Sequence, residues 1–201
     1  MKLYYSRFTR AHRPRWVLEE LGVPYELQRL DLRQGEHKSP EYLKVHPLGQ
    51  VPALEDDGLV LLESGAICQY LADKYPEAKL APAPGTRERG EYYLWCTYLL
   101  ATVEPELATA FLHLRMLPEA ERIPAVAEIA KGKLMKMLRV LEAKVDGREY
   151  LVGDQFSVAD VLLAAQLSWA KSFGMVDDFP GLQAYMKRHM ARPAAQRAYA
   201  D

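Results

Sequence analysis

Cysteine is scarce in this chain of 201 residues, where Cys68 and Cys96 are the only examples. Their separation excludes a Cys-x-x-Cys redox pair and offers no metal-ligand spacing, so both are expected to be small core residues and no metal is expected. Charge of one sign is also missing. The 26 basic and 27 acidic side chains give a formal net charge of −1. No global field draws such a chain to nucleic acid or to an anionic membrane surface. Long hydrophobic runs are absent, since nothing approaches the roughly 18 apolar residues of a spanning helix. The opening MKLYYSRF lacks the apolar core of a signal peptide. There is no internal repeat and no low-complexity tract. The expectation is a cytoplasmic globular protein without nucleic-acid or membrane partners, whose ligands must be read from local sites. Its length suits one domain or two small ones.

What is present falls into two styles. In the first third, Lys2 to Tyr5 reads as a strand, Arg13 to Leu21 as a helix with Pro14 in its first turn and Gly22 as its stop, and Tyr25 to Leu32 as a second strand. That is a βαβ unit with a parallel pair. A polar loop and a short helix from Pro40 to Val45 follow. Val51 to Leu54 and Leu59 to Leu62 then flank Glu55-Asp56-Asp57-Gly58 as a hairpin, and Ser64 to Tyr75 reads as a helix. Pro76 to Gly85, rich in proline and alanine, marks a linker. Beyond it no strand is expected. Thr86 to Leu114 and Pro118 to Val145 are long helical patterns, with Pro105 a candidate kink in the first. Ser157 and Asp160 have capping-box spacing before Val158 to Ala170, which is apolar almost all round and therefore central. Phe179 to Met190 and a short tail from Pro193 complete the helical part. The expected architecture is α/β (βαβαββα) over 1–77, a linker over 78–85, and an all-α domain over 86–201.

The stretch HPLGQVPALEDDGLVLLESGAI, residues 46 to 67, concentrates the chemistry. Pro52 has no backbone N–H yet opens a strand, which a cis Val51-Pro52 bond would resolve by turning the Val51 amide and carbonyl outward; a trans edge-strand proline is the plain alternative. Glu63-Ser64-Gly65 lies between a strand and a helix. A helix N-terminus offers unpaired N–H groups and positive partial charge, so Ser64 and its amides can hold a carboxylate while Glu63 balances an ammonium. The plain alternative is a capping serine beside a solvated glutamate.

Taken together, HPLGQVPAL and LLESGAICQYLADKYP resemble the cytosolic glutathione transferase family. MKLYYSRFTRAHRPRWVLEELGVPYE is similar to that family's opening βα unit, and YLVGDQFSVADVLLAAQLSWA to its buried capped helix. The resemblance implies a thioredoxin-like N-terminal domain, an all-helical C-terminal domain, glutathione as co-substrate, a small hydrophobic electrophile and a homodimer. It implies that Val51 pairs with the cysteinyl backbone after the cis Pro52 turn, that Glu63 and Ser64 hold the γ-glutamyl end, and that His37 or Lys38 meets the glycyl carboxylate. Gln50 stands where the family more often has lysine. Asp160 is implied to cap and fold.

A thiol attacks as thiolate, and with a pKa near 8.5 only a few per cent is ionised at neutrality. Lowering that pKa by about two units takes roughly 2.7 kcal/mol, within reach of a donated hydroxyl bond and a helix N-terminus. The turn YYSRFTRAHRPRW carries Tyr5, Ser6 and Thr9 as hydroxyls and Arg7, Arg10 and Arg13 as cations. Thr9 is the favoured activator, Ser6 the second, and Arg10 a candidate electrostatic aid. Cysteine-using relatives carry their cysteine near position 10, where this chain has arginine, so the resemblance is to the Ser/Thr-using bacterial type. Trp95, Tyr98, Phe111 and Trp169 are aromatic candidates for a hydrophobic pocket. Two other functions remain open: a non-catalytic binding or regulatory protein of the same fold, and glutathione-dependent reduction of peroxides or disulfides without a protein cysteine.

Overall fold

In the computed structural model, which describes residues 1–200, β1 (Lys2–Tyr5) alternates half-buried Lys2 and Tyr4 with fully buried Leu3 and Tyr5. Its neighbour β2 (Glu26–Arg29) runs parallel to it, linked by helix α1 (His12–Leu21). α1 buries Trp16, Val17 and Leu18 and stops at Gly22, whose φ of 65° is the left-handed cap that glycine adopts without a Cβ penalty. β2 is shorter than the Tyr25 to Leu32 expected from sequence. The Asp31 carboxylate accepts from the Arg33 and Gln34 amides and turns the chain away.

After a 3₁₀ turn at Glu36–Lys38 comes α2 (Pro40–Val45), capped by Ser39. The hairpin of β3 (Ala53–Asp56) and β4 (Leu59–Leu62) turns at Asp57 and Gly58, both with positive φ, as a tight primed turn requires. β3 begins later than the sequence pattern suggests because Val51–Pro52 is a cis bond. The sheet order is β2-β1-β3-β4, with β3 antiparallel to both neighbours. Helix α3 (Ser64–Lys74) buries Ile67, Cys68 and Leu71. Each such side chain removed from water is worth about 1.5–3 kcal/mol. Asp56, Tyr70 and Lys74 tie the end of β3 to α3.

The chain divides into two units, Met1–Ala81 with the segment from Ala191 onward, and Pro82–Met190. The second unit holds α4 (Arg87–Thr97), α5 (Glu104–Phe111), α6 (Pro124–Val145), α7 (Val158–Lys171) and α8 (Pro180–Met190). Where sequence suggested a kink near Pro105, α4 and α5 are joined by a π-helical segment, Tyr98–Val103, so Pro105 falls in a helix's first turn, where its missing N–H costs nothing. A second π segment, Leu112–Met116, follows α5. α7 is the core of this unit. Ser157 and Asp160 form its capping box, and the fully buried Asp160 carboxylate also accepts from the Leu151 amide and the Tyr185 hydroxyl.

The tail departs from the expected helical domain. Helix α9 (Pro193–Ala198) packs on α1 of the first unit. Its small residues Ala194, Ala195 and Ala198 are buried, allowing close approach, and Arg192 grips Glu20 through two hydrogen bonds of 2.6 and 2.8 Å. Arg197 reaches the Glu19 carboxylate at 2.7 Å and its carbonyl at 3.0 Å.

Candidate functional site

Strand register gathers the candidate segments at one end of the sheet. Ala53 pairs with both Leu62 and Tyr4, so Pro52 and Glu63, just beyond, leave the sheet at the end where β1 finishes at Tyr5. There the β1–α1 turn, the cis-proline junction and the start of α3 meet. α1 has no acidic side chain in its first turn, which leaves its positive end uncompensated locally, whereas Glu63 stands directly at the start of α3. The chain from Met1 to Leu18 carries Lys2, Arg7, Arg10, Arg13 and Arg15 and no acid. The local field therefore favours an anion, although the whole chain is close to neutral.

The turn that holds the hydroxyls is tied from inside. Ser6 is buried. The Thr9 hydroxyl donates to the Ser6 carbonyl at 2.7 Å and accepts from the Ala11 amide at 3.3 Å. The His12 Nδ1 lies 3.0 Å from the Thr9 carbonyl. A carbonyl only accepts, so Nδ1 carries the hydrogen, and Nε2 shares a hydrogen bond with the Tyr5 hydroxyl, 3.1 Å away. Tyr5 is fully buried on this bond, which removes it from the hydroxyls a ligand could reach. Between Ser6 and Thr9 the chain exposes Phe8 almost completely, at 94%, with φ of +56°. An exposed aromatic in the left-handed region is a costly arrangement for both its ring and its backbone. Arg7 and Arg10 on either side are exposed too.

Ser64 has a partner that sequence reasoning did not foresee. Arg13, only 3% exposed, donates through a terminal guanidinium nitrogen to the Ser64 hydroxyl at 3.3 Å. Ser64 is itself buried, whereas Glu63, which precedes α3, is exposed with φ of 67° and ψ of 113°. A glutamate there costs of order 1–3 kcal/mol of backbone strain, a pattern that clusters at ligand sites. The signal for Arg13 was available. It stands three and four positions before Trp16 and Val17, on the stripe of α1 that faces inward.

Farther along the site, half-buried His37 and exposed Lys38 sit in the 3₁₀ turn. The His37 Nδ1 is buried without a hydrogen-bond partner among the described residues. Gly49 packs on this turn so closely that a Cβ there would come within 2.5 Å of the His37 carbonyl oxygen, and its φ of +59° also demands glycine. Gln50 is exposed and its carbonyl accepts from the Tyr42 hydroxyl. The loop is shaped by His46, whose buried Nδ1 accepts from the Leu48 amide at 3.3 Å. An asparagine oxygen performs the same turn, and His46 substitutes a ring nitrogen at the same distance from its backbone. Burial pushes the His46 pKa down, against an upward pull from Glu63.

The aromatic candidates belong to the helical unit and form two separate pairs there. Trp95 and Tyr98 meet edge to face at 5.6 Å, and Phe111 meets Trp169 at 5.4 Å. Trp95 is 9% exposed and lies under Lys144, so it is mainly core, while Tyr98, Phe111 and Trp169 are half-buried. Trp95 and Tyr98 also line a shallow depression with Tyr93, Leu94 and Thr97. Both cysteines are buried, and burial pushes the Cys96 thiol up to about 12. Among the described residues no group of three or more His, Cys, Asp or Glu is placed to hold a metal, and no helix is long and apolar enough to cross a membrane.

Residues 1–73 match the family model described as "Glutathione S-transferase, N-terminal domain", and residues 106–193 match "Glutathione S-transferase, C-terminal domain". Among curated relatives, a probable glutathione S-transferase, GSTF2, of Oryza sativa subsp. japonica is 35% identical over 98% of this chain and 94% of its own. A glutathione transferase structure from Methylococcus capsulatus str. Bath superposes with a TM-score of 0.88 at 34% identity, covering 99% of this chain and 97% of the other. A sphingomonad glutathione S-transferase complexed with glutathione gives 0.87 at 30% identity, covering 100% and 98%.

Proposed function

Because the chain belongs to the glutathione S-transferase family, we propose that it ionises the glutathione thiol with a hydroxyl of the β1–α1 turn and directs the thiolate at small hydrophobic electrophiles. The chain is a glutathione transferase; the reading concerns how its residues do the work. The observation that carries it is the Arg13–Ser64 bond, which fastens the start of α1 to the start of α3 beside the cis-proline end of the sheet.

In this reading the γ-glutamyl carboxylate lies at the tip of α3, taking hydrogen bonds from Ser64 and the first amides, with the Arg13 charge behind them. Glu63 balances the ammonium. The backbone of Val51 pairs with the cysteinyl residue, and His37, Lys38 and the side chain of Gln50 serve the glycyl carboxylate. The sulfur then reaches the β1–α1 turn. The Thr9 hydroxyl exchanges its bond to the Ser6 carbonyl for one to sulfur. A neutral bond of about 1 kcal/mol is given up for a charge-assisted one roughly twice as strong, so the exchange favours the anion. The α1 N-terminus and Arg10 add positive potential. Ser6 is the second candidate for donor.

The thiol proton passes to solvent and the thiolate forms a C–S bond at the electrophilic carbon; in an addition the displaced π electron pair takes a proton from solvent, and in a substitution the leaving group departs with the electrons of its bond. Phe8, held out beside Thr9, offers an aromatic face to that second substrate. The assembly expected is a cytoplasmic homodimer.

The test joins calorimetry with a pH titration of the thiolate ultraviolet band in the glutathione complex. Thr9→Ala is expected to raise the thiol pKa by about one to two units and to lower kcat/KM by about ten- to a hundredfold near neutrality, with binding largely retained. Ser6→Ala should leave both close to wild type. The reverse pattern moves the role to Ser6. Absence of glutathione binding at millimolar concentration defeats the reading altogether.

A further inference from the structure

We propose that His12 and Tyr199 are positioning residues for thiol activation, through which the segment returning at residue 191 holds the Thr9 turn in register. The inference rests on the reading that this turn supplies the activating hydroxyl. It holds for either donor, since the Thr9 side chain is bonded to the Ser6 carbonyl and the Thr9 carbonyl to His12.

Within the turn Thr9 is bonded to the Ser6 carbonyl and the Ala11 amide, and its own carbonyl accepts from the His12 amide at 3.4 Å. Arg7 and Phe8 are exposed, and the Phe8 backbone is in the left-handed region. His12 grips it at 3.0 Å through Nδ1, and the orientation of the imidazole decides whether that grip exists. Two contacts fix the ring. The Tyr5 hydroxyl meets Nε2, and the ring of Tyr199 lies against its face at 4.4 Å with an interplanar angle of 17°. Tyr199 is steadied in turn by the edge of Trp16 at 6.3 Å, and its segment is pinned by Arg192 on Glu20 and Arg197 on Glu19. Glu19 also accepts from the Tyr25 hydroxyl at 2.6 Å, which ties the anchor to the chain entering β2. A chain of contacts thus runs from α9 through Tyr199 and His12 to Thr9.

Activation by a hydroxyl is sensitive to placement, because a donor about 0.5 Å out of position loses much of its effect. Substrate binding is less so, since Val51, Glu63, Ser64, His37 and Lys38 lie on other segments and Arg13 is held separately by Ser64. The signature of a positioning role is therefore a changed thiol pKa with unchanged affinity. Tyr199→Leu, which removes the stacking face, is expected to raise the pH of thiolate formation in the glutathione complex by about one unit. Turnover near neutrality should fall about tenfold, recover in alkaline buffer, and leave KM for glutathione within about twofold. Tyr199→Phe keeps the face and should match wild type.

An unchanged thiolate titration in folded Tyr199→Leu, a loss equal at every pH, or a phenylalanine variant as impaired as the leucine one would each overturn the proposal. Should Tyr199→Leu fail to fold, Tyr5→Phe removes only the hydroxyl facing His12. A smaller shift in the same direction supports the proposal, and none refutes it. A wild-type complex that binds glutathione without a thiolate band defeats the activation reading and this inference with it, whereas a normal wild-type band with inert variants defeats this inference alone.

Discussion

Arg13 is the residue on which the site's electrostatics turn. It is a buried cation whose hydrogen bond reaches the helix tip proposed for the γ-glutamyl carboxylate. Arg13→Gln keeps a donor but removes the charge, and glutathione affinity is expected to fall about tenfold, or about 1.4 kcal/mol, by calorimetry. His46 gives the second test at this scale. Its pKa is lowered from 6.5, chiefly by burial, so the unfolded chain takes the proton first as pH falls. The stability it contributes is complete above about pH 6.5 and is lost as pH drops through the lowered value, because protonated Nδ1 can no longer accept from the Leu48 amide. His46→Asn retains an acceptor and cannot titrate. Its melting temperature and glutathione affinity should decline less than wild type between neutral and mildly acid pH. Of the residues singled out from sequence, Pro52 follows a cis bond as one of its two readings expected, and Glu63 and Ser64 stand at the start of α3. Arg13 was not singled out, since four arginines crowd Arg7 to Arg15 and the buried ones, Arg13 and Arg15, are set apart only by lying inside α1.

Elements were the most legible level. Strand, helix and hairpin order in the first unit followed from apolar periodicity and from turn chemistry such as Asp57-Gly58, and the α7 cap followed from the Ser157/Asp160 spacing. Element ends were less so. β2 stops early because an Asp31 turn intervenes, and β3 starts late because the Pro52 junction delays it. The π segments carry no local sequence signal, since a π turn differs from an α turn by one residue's slippage. Asp160 tests how far an element depends on its cap. Asp160→Ala strands the buried Leu151 and Ser157 amides and the Tyr185 hydroxyl. The expected loss is about 3–5 kcal/mol, seen as a melting temperature at least about 10 °C lower. Gly49 tests the loop beside the site. Gly49→Ala places a Cβ against the His37 carbonyl, so the turn must shift, and a higher KM for glutathione with little change in the thiol pKa is expected.

At the scale of the molecule, a net charge of −1 means that attraction of an anionic peptide comes only from the local run of cations near α1. Such attraction is screened within about 10 Å at 0.1 M salt. Raising ionic strength tenfold should weaken glutathione binding by no more than about fivefold, and a much steeper dependence in a salt titration would mean that the field extends beyond the site. The division into an α/β part and a helical part was readable from the proline-rich linker. The destination of residues 191–200 was not, because a short Ala-rich helix with one arginine inside it and another just before it carries no mark of the surface it covers. That destination sets the timetable of synthesis. The first unit is assembled from both sides of an insertion of 109 residues, Pro82–Met190, so the ribosome needs about 5–20 s to deliver the strip that covers α1 after the rest of that unit has emerged. Until then the nascent chain carries an uncovered face at Trp16 and an imidazole without its stacking partner, and the first unit cannot finish folding before the second has been translated.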